Sequence, residues 1–310
     1  MHTHLGDRTM GRKFTDRKPA QAKKGRNGPA NRKTGGAQAG DQPGAPQGTP
    51  ASRTGPVPVP RAPDGYFLFG RHSVEAALAN PQREIVRLHA TDKAAATLKT
   101  EAAHLMDRIK DKIHAGQDAA TLKAALPEGA PHQGLVMEVR PLPSPPLESL
   151  APKGAADRLL VLDQVTDPHN VGACLRSAAA FGARALITPD RGAARESGTL
   201  ARASAGAMDR VPWVRVTNLA RALATLKEMG YWCVGLDGDG PTTLPHTPTD
   251  RPLALVMGAE GRGLRPLVAK NCDLLVHIPI EATVESLNVS NAAAVALYAT
   301  RPANGPENES

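Results

Sequence analysis

Short apolar runs alternate with helix-forming segments through the second half of this chain, and that alternation limits the folds open to it. The predicted strands are 158–163, 183–188, 211–216, 232–236, 253–258 and 274–280. The predicted helices are 170–181, 219–229, 264–270 and 288–300. Continuous apolar runs of this length are typical of strands buried on both faces. Their alternation with helices predicts an α/β domain with a doubly wound, mostly parallel sheet over residues 157–302.

A smaller α/β domain is predicted ahead of it, over residues 65–140. Its pattern indicates a strand, a helix, a strand, a long helix and a strand, at 66–69, 73–79, 84–90, 93–113 and 134–139. Ser73 is the predicted cap of the first helix. His132-Gln133-Gly134 is interpreted as a plain turn before a strand, with a functional loop as the alternative. Residues 141–156 contain five prolines, so they are predicted to be a linker.

The net charge of +8 lies entirely in the first 64 residues, which contain 12 Lys and Arg against 4 Asp and Glu. Residues 1–64 have little aliphatic periodicity, and they are predicted to be a disordered basic tail. Residues 303–310 are predicted to be a disordered C-terminus. A basic arm favours non-specific nucleic-acid binding by neutralising phosphates, and a solubilising tail is the alternative.

The sequence argues against membrane, secreted, disulfide-linked, zinc-binding and P-loop proteins. No apolar run has the length of a membrane span, and the N-terminus lacks the apolar core of a signal peptide. Cys174, Cys233 and Cys272 form neither a disulfide framework nor a C-x-x-C pair. No His, Cys and Asp cluster has zinc spacing, and no P-loop motif occurs. We therefore expect a cytoplasmic protein without a metal or a membrane partner.

Three polar segments follow predicted strands or precede predicted helices. The first is Asn170-Val171-Gly172 with Arg176, whose guanidinium suits a phosphate. Asn170 and Arg176 are six residues apart, so both face the same loops only if the first helical turn is irregular. The second runs from Met257 to Gly263 with Glu260, and the third is Ser286-Leu287-Asn288-Val289-Ser290. Each alone is compatible with caps and solvated side chains.

Together, N-x-G-x-x-x-R, M-G-x-E-G-x-G and S-L-N-V-S, in that order, resemble the three motifs of the SpoU (TrmH-like) group of SPOUT RNA 2'-O-methyltransferases. The resemblance implies a SPOUT-type, mostly parallel sheet with a C-terminal trefoil knot. It also implies S-adenosylmethionine as cofactor and an obligate homodimer with composite active sites. The small domain would bind the RNA substrate.

The same resemblance assigns roles to individual residues. Those implied to bind the cofactor are Met257, Gly258, Ile278, Pro279, Leu287 and Asn288. Those implied to form the catalytic surface are Asn170, Arg176, Glu260, Ser286 and Asn288. Arg176 would act either as the base or as a group that holds phosphate and stabilises the developing alkoxide.

The reaction implied is methylation of a guanosine 2'-hydroxyl in 23S rRNA. An alternative substrate is a tRNA ribose, because resemblance of fold does not fix a substrate. A further alternative, from another class, is a non-catalytic RNA-binding or ribosome assembly factor that kept the fold.

Overall fold

The structure is a computed structural model that describes residue 61 and residues 63–301. The two predicted disordered segments, 1–64 and 303–310, lie outside the described residues except at positions 61, 63 and 64.

The N-terminal part of the described chain forms a four-stranded sheet. Its strands are β1 (Tyr66–Phe69), β2 (Ile85–Ala90), β3 (Ile113–His114) and β4 (Leu135–Val139), and its helices are α1 (Arg71–Ala79), α2 (Asp92–Glu101) and α3 (Ala119–Ala124). The strand order is β1-β4-β2-β3, with β4 antiparallel to both of its neighbours. The turn predicted before β4 is confirmed, and Gln133 and Gly134 have φ values of 53° and 78°.

Two local predictions in this part are wrong. Ser73 does not cap α1; it is buried inside a helix that begins at Arg71, whose N–H donates instead to the Gln133 side chain. The predicted helix 93–113 ends at Glu101 and continues as the 3-10 turns Ala103–Arg108 and Lys110–Lys112. Helix propensity yields to tertiary packing here, because Ile109 is fully buried and Ile113 pairs with Leu88 in the sheet.

The second sheet has seven strands, in the order β7-β6-β5-β10-β8-β11-β9, and every neighbouring pair is parallel. The strands are β5 (Arg158–Leu162), β6 (Ala185–Pro189), β7 (Trp213–Val216), β8 (Trp232–Leu236), β9 (Thr242–Thr243), β10 (Leu253–Met257) and β11 (Leu274–His277). All six predicted strands are confirmed: β8 has the predicted bounds, β11 ends at His277 instead of residue 280, and the others differ by one or two residues at one or both ends. The short β9 was not predicted.

Helices cover both faces of this sheet. They are α4 (Pro168–Ala180), α5 (Gly198–Ala203), α6 (Leu219–Glu228), α7 (Pro266–Lys270) and α8 (Val289–Ala299). Alternate residues of the central strands enter opposite cores, because side chains alternate across a strand. Leu160 and Leu255 pack with α4, α5 and α8, whereas Leu159 and Ala254 pack with α6 and α7. The sheet is therefore buried on both faces, as the continuous apolar runs predicted.

Candidate active site

A cavity of about 450 Å³ lies at the carboxyl ends of β8, β10 and β11. Residues 236–239, 257–263, 276–278, 280, 285–287, 289 and 292 line it. Ligands of open α/β sheets usually bind outside the carboxyl ends of the strands, and the volume falls in the range of small-molecule sites.

The loop after β10 forms one wall of this cavity and leaves no room for a side chain at Gly258. A Cβ on Gly258 would lie 2.1 Å from the carbonyl carbon of Gly263 and 2.5 Å from the N of Leu264. Ala259 and Gly263 pair as an isolated antiparallel bridge, and Gly261 and Gly263 have positive φ values of 73° and 64°. The glycines thus fold the loop back on itself and expose its backbone to the cavity.

The base of this loop is fixed by a buried carboxylate. Asp163, which follows β5 and is 1% exposed, accepts from the backbone N of Arg265 at 3.0 Å and from its Nε at 2.8 Å. The Nη2 of Arg265 lies 2.7 Å from the same carboxylate. This contact joins the end of β5 to the start of α7, and so holds the far end of the loop.

The segment before α8 forms the opposite wall. Ser286 and Leu287 line the cavity, and Asn288 caps α8 by accepting from the N of Ser290 at 2.9 Å. The Asn288 Nδ2 donates to Asn170 Oδ1 at 3.0 Å. Asn170 lies in the first turn of α4, so two of the three polar segments meet here.

Six residues of the predicted site line the cavity: Met257, Gly258, Glu260, Ile278, Ser286 and Leu287. Asn288 and Asn170 do not line it, but they sit next to Leu287 through the contact just described. Pro279 is not among the lining residues, although Ile278 and Ile280 on either side are.

Arg176 is a predicted site residue that lies outside the cavity. The helix α4 is regular from Pro168, so Arg176 lies almost two turns beyond Asn170 and on a different side of the helix. Its side chain is exposed and does not line the cavity. Within one subunit, therefore, the first polar segment is split, with Asn170 near the cavity and Arg176 facing solvent.

Sequence reasoning missed an acidic side of the cavity. Asp237, Asp239 and Glu285 line it, and with Glu260 they make four carboxylates around one cavity. The signal was present in Leu236-Asp237-Gly238-Asp239-Gly240, where polar residues and glycines directly follow a strand. His277, also a lining residue, bonds through Nδ1 to the Gly240 carbonyl at 2.7 Å, which requires a proton on Nδ1.

The cysteines do not supply a nucleophile. Burial raises the pKa of Cys174 and of Cys272 to about 12. Burial also raises the pKa of Cys233. Their thiols are therefore protonated near neutral pH. Among residues 61 and 63–301 there is no cluster of His, Cys, Asp and Glu that could hold a metal ion, and no helix long and apolar enough to cross a bilayer.

Two parts of the chain match models of known protein families. Residues 157–298 match the model of the SpoU rRNA Methylase family, and residues 67–145 match the model described as RNA 2'-O ribose methyltransferase substrate binding. The 23S rRNA (guanosine-2'-O-)-methyltransferase RlmB of Photobacterium profundum is 41% identical over 236 residues, 75% of this chain and 95% of that protein. The RlmB of Neisseria meningitidis serogroup B is 37% identical over 255 residues, 78% of this chain and 97% of that protein.

Solved structures share the fold. The SpoU methyltransferase AviRb from Streptomyces viridochromogenes, in complex with AdoMet, superposes with a TM-score of 0.65 at 24% identity, covering 76% of this chain and 89% of that one. The AdoMet-bound rRNA methyltransferase from Sinorhizobium meliloti superposes with a TM-score of 0.66 at 21% identity, covering 76% and 87%. The predicted SPOUT-type, mostly parallel α/β fold is confirmed, and the trefoil knot stays a prediction. With relatives matched over almost their whole length, the chain belongs to the SpoU rRNA methylase family.

Proposed function

We propose that this protein transfers a methyl group from S-adenosylmethionine to the 2'-hydroxyl of a guanosine in 23S rRNA. The observation that carries the proposal is the meeting of the 258–263 loop with residues 286 and 287 around one cavity, beside the Asn170–Asn288 contact. Family membership and the rRNA guanosine activity named for both relatives support it. An rRNA substrate would place the protein in the cytoplasm.

The residues present fit this cofactor. Met257, Ile278 and Leu287 offer apolar surface for a purine ring. The four carboxylates favour a ligand with a sulfonium and an ammonium group, because opposite charges attract. No side chain fits at Gly258, so this residue lines the cavity with backbone atoms alone, and these can bond the ligand. When bound, S-adenosylmethionine supplies an electrophilic methyl group.

The chain's own residues must orient a ribose hydroxyl and stabilise the charge that develops on its oxygen. An alcohol is a weak nucleophile, so alignment is a large part of the rate. Asn170, held by Asn288, is assigned to orient the ribose. Arg176 is assigned to the phosphate next to the target and to the developing alkoxide, because a guanidinium remains protonated throughout the accessible pH range. Glu260 and Ser286 supply polar groups at the rim.

A homodimer explains how Arg176 reaches a site that its own subunit does not offer. Arg176, Ala179 and Ala180 share the exposed side of α4. The helix α8, which packs against α4, exposes Val295 by 39% and Tyr298 by 55%. An apolar surface beside an exposed guanidinium favours self-association that brings Arg176 to the partner's cavity. The trefoil knot and the domain boundaries 65–140 and 157–302 belong to the same proposal.

The small domain is the proposed RNA-binding unit. A second cavity of about 420 Å³ lies between α1, α2 and the turn before β4, and Arg71, Lys93, His132 and Gln133 are among its lining residues. His132 Nδ1 accepts from the N of Gly134 at 3.1 Å, so a neutral ring carries its proton on Nε2, where it can donate to RNA. Unstacked bases are the usual targets of sequence-specific RNA recognition.

Mapping ribose methylation in a strain that lacks the gene tests the proposal. We expect one 2'-O-methylguanosine to disappear from 23S rRNA and to return when the purified protein and S-adenosylmethionine are added to that rRNA. Loss of a methyl group from tRNA instead would favour the alternative substrate. An unchanged map, together with no binding of S-adenosylmethionine in calorimetry, would favour the assembly-factor hypothesis.

A further inference from the structure

The segment of residues 196–209, here called the docking segment, contacts the small domain through its backbone. It contains α5 and the 3-10 turn Ala207–Asp209. A Cβ on Gly198 would lie 2.2 Å from the Phe67 carbonyl oxygen, and one on Gly206 would lie 2.8 Å from the Ala76 Cβ. Glycine therefore allows β1 and α1 of the small domain to approach the docking segment at two separate points.

One arginine of the small domain bonds both ends of the docking segment. The Arg83 side chain is fully buried, and its Nε donates to Asp209 Oδ1 at 2.7 Å. Its Nη1 donates to Glu196 Oε2 at 3.0 Å. Both carboxylates are only 2% exposed. A charge buried this deeply is costly without its partner, so the three groups favour a single arrangement of the two domains.

Tyr66 of β1 completes this cluster. Its hydroxyl donates to Glu196 Oε2 at 2.8 Å and accepts from Arg83 Nη1 at 3.0 Å. Burial and the adjacent Glu196 carboxylate raise the pKa of Tyr66, so the hydroxyl keeps the proton that it donates. Tyr66 and Arg83 of the small domain thus both donate to Glu196 of the large domain.

The same glutamate holds the start of the linker. Glu196 accepts from the backbone N of Leu142 at 3.1 Å, and Arg215 Nη2 donates to the Leu142 carbonyl at 2.9 Å. The N of Arg215 also donates to Ser144 Oγ at 2.8 Å. The first residues of the proline-rich linker are therefore attached to the large domain.

The opposite side of the docking segment contacts the helix that carries Asn170. A Cβ on Gly172 of α4 would lie 2.5 Å from the Ala203 Cβ and 2.7 Å from the Leu200 carbonyl oxygen. The small domain, the docking segment and α4 are thus in close backbone contact at these glycines. Close-packed layers of this kind transmit a displacement instead of absorbing it.

We propose that Arg83, Glu196 and Asp209 are positioning residues that fix the small domain at one distance from the methyl-transfer cavity and thereby select which ribose enters it. The proposal rests on the proposed function, in which the small domain binds RNA and the cavity holds the cofactor. A domain attached only by the linker would instead present several neighbouring riboses.

The first test measures the arrangement of the domains directly. Spin labels are attached to cysteines introduced at Lys99 in α2 and Arg221 in α6, both exposed, in a Cys272→Ala background. The natural protein and Arg140→Met are each expected to give one narrow distribution of distances between the two labels. Arg140 is a matched control because it is also an arginine of the small domain, but its side chain pairs with Glu84 and is 37% exposed. Arg83→Met is expected to broaden the distribution, and the milder Glu196→Gln to broaden it less.

The second test measures selection of the ribose on a 23S rRNA transcript. For Arg83→Met we expect kcat/KM to fall on the order of 10- to 100-fold, as for a displaced substrate, with methyl groups appearing on neighbouring nucleotides. Binding of S-adenosylmethionine, in affinity and in sites per chain, should not change. A loss of folded protein would instead reduce the number of binding sites and leave the methylated position the same.

A narrow distance distribution and an unchanged methylated position in folded Arg83→Met would overturn the proposal. If the natural protein binds S-adenosylmethionine but methylates no RNA, the proposed function fails, and the distance measurement still decides whether the cluster fixes the domains.

Discussion

The side-chain amide of Asn288 donates to the side-chain oxygen of Asn170 across 3.0 Å, which joins the first turns of the two helices α8 and α4. The orientation of the Asn288 amide is fixed, because its oxygen accepts from both the N and the Oγ of Ser290, at 2.9 and 2.6 Å. One residue therefore caps α8 and orients the asparagine proposed to hold the ribose. Capping and orientation can be separated by mutation.

Asn288→Ala removes both roles, whereas Asn288→Asp keeps an acceptor for the Ser290 N and loses only the donor to Asn170. We expect Asn288→Ala to lower the free energy of unfolding by about 1 kcal/mol, the usual cost of a lost N-cap. Asn288→Asp should unfold at nearly the natural temperature, because Asp is an equally good cap. Both variants should lose methyl transfer. Full activity in either would show that the orientation of Asn170 is unimportant.

Gly258→Ala should remove cofactor binding. The added Cβ would meet backbone atoms of Gly263 at 2.1 and 2.3 Å, and backbone cannot rotate away as a side chain can. We expect the loop to shift, the free energy of unfolding to fall by about 1–3 kcal/mol, and binding of S-adenosylmethionine to become undetectable by calorimetry. Gly154→Ala is the control, since a Cβ added there would meet no atom within 4 Å and the φ of Gly154 is not positive. Retained binding in Gly258→Ala would exclude this loop from the cofactor site.

The large sheet was predictable because all its strands except the short β9 are mostly apolar runs and because glycines and prolines mark their ends. Trp232–Leu236 and Leu253–Met257 were found at or within one residue of their true bounds for this reason. Ser73 and the segment after Glu101 were predicted wrongly because long-range partners, Gln133 and Leu88, decide the local structure there. No local pattern contains that information.

The site was only partly predictable for a similar reason. The family motifs identified Gly258, Glu260 and Leu287, which do line the cavity. The six-residue spacing of Asn170 and Arg176 required an irregular first turn for both to face the same loops; α4 is regular, so Arg176 faces solvent. Asp237 was missed because it lies outside the three motifs. The cluster around Arg83 joins residues more than 100 positions apart, beyond the reach of any local pattern.

The buried His89 should make the small domain sensitive to acid. Burial is the largest cause that lowers the pKa of His89 to about 4, and the neighbouring His114 and Arg87 lower it further. Glu138 acts in the opposite direction. The residue is 5% exposed, and its Nε2 has no hydrogen-bond partner among the described residues. The folded state therefore keeps His89 neutral at a pH where the unfolded chain, with an ordinary pKa of 6.5, binds a proton.

Linkage gives the direction of this effect. The contribution of neutral His89 to the free energy of unfolding is fully present above pH 6.5. It is lost as the pH decreases toward 4, and the loss amounts to up to about 3 kcal/mol. His89→Leu should unfold at a temperature that changes less between about pH 7 and pH 4.5, as measured by circular dichroism. The exposed His104→Leu should keep the natural pH dependence. Equal pH dependence in His89→Leu and the natural protein would contradict the prediction.

Mixed dimers decide which subunit supplies Arg176. Arg176→Ala should leave stability within about 0.5 kcal/mol and should leave cofactor binding unchanged, because the side chain is exposed and outside the cavity, yet it should abolish transfer. Leu287→Arg should abolish cofactor binding by filling the cavity that Leu287 lines.

Co-expression of the Arg176→Ala and Leu287→Arg chains with two different affinity tags isolates the dimer that contains one subunit of each kind. If Arg176 acts across the dimer, one of its two sites combines an intact cavity with an intact arginine, and about half of the natural activity returns. If Arg176 acts within its own subunit, both sites are defective and no activity returns. Failure to recover any doubly tagged species would refute the dimer itself.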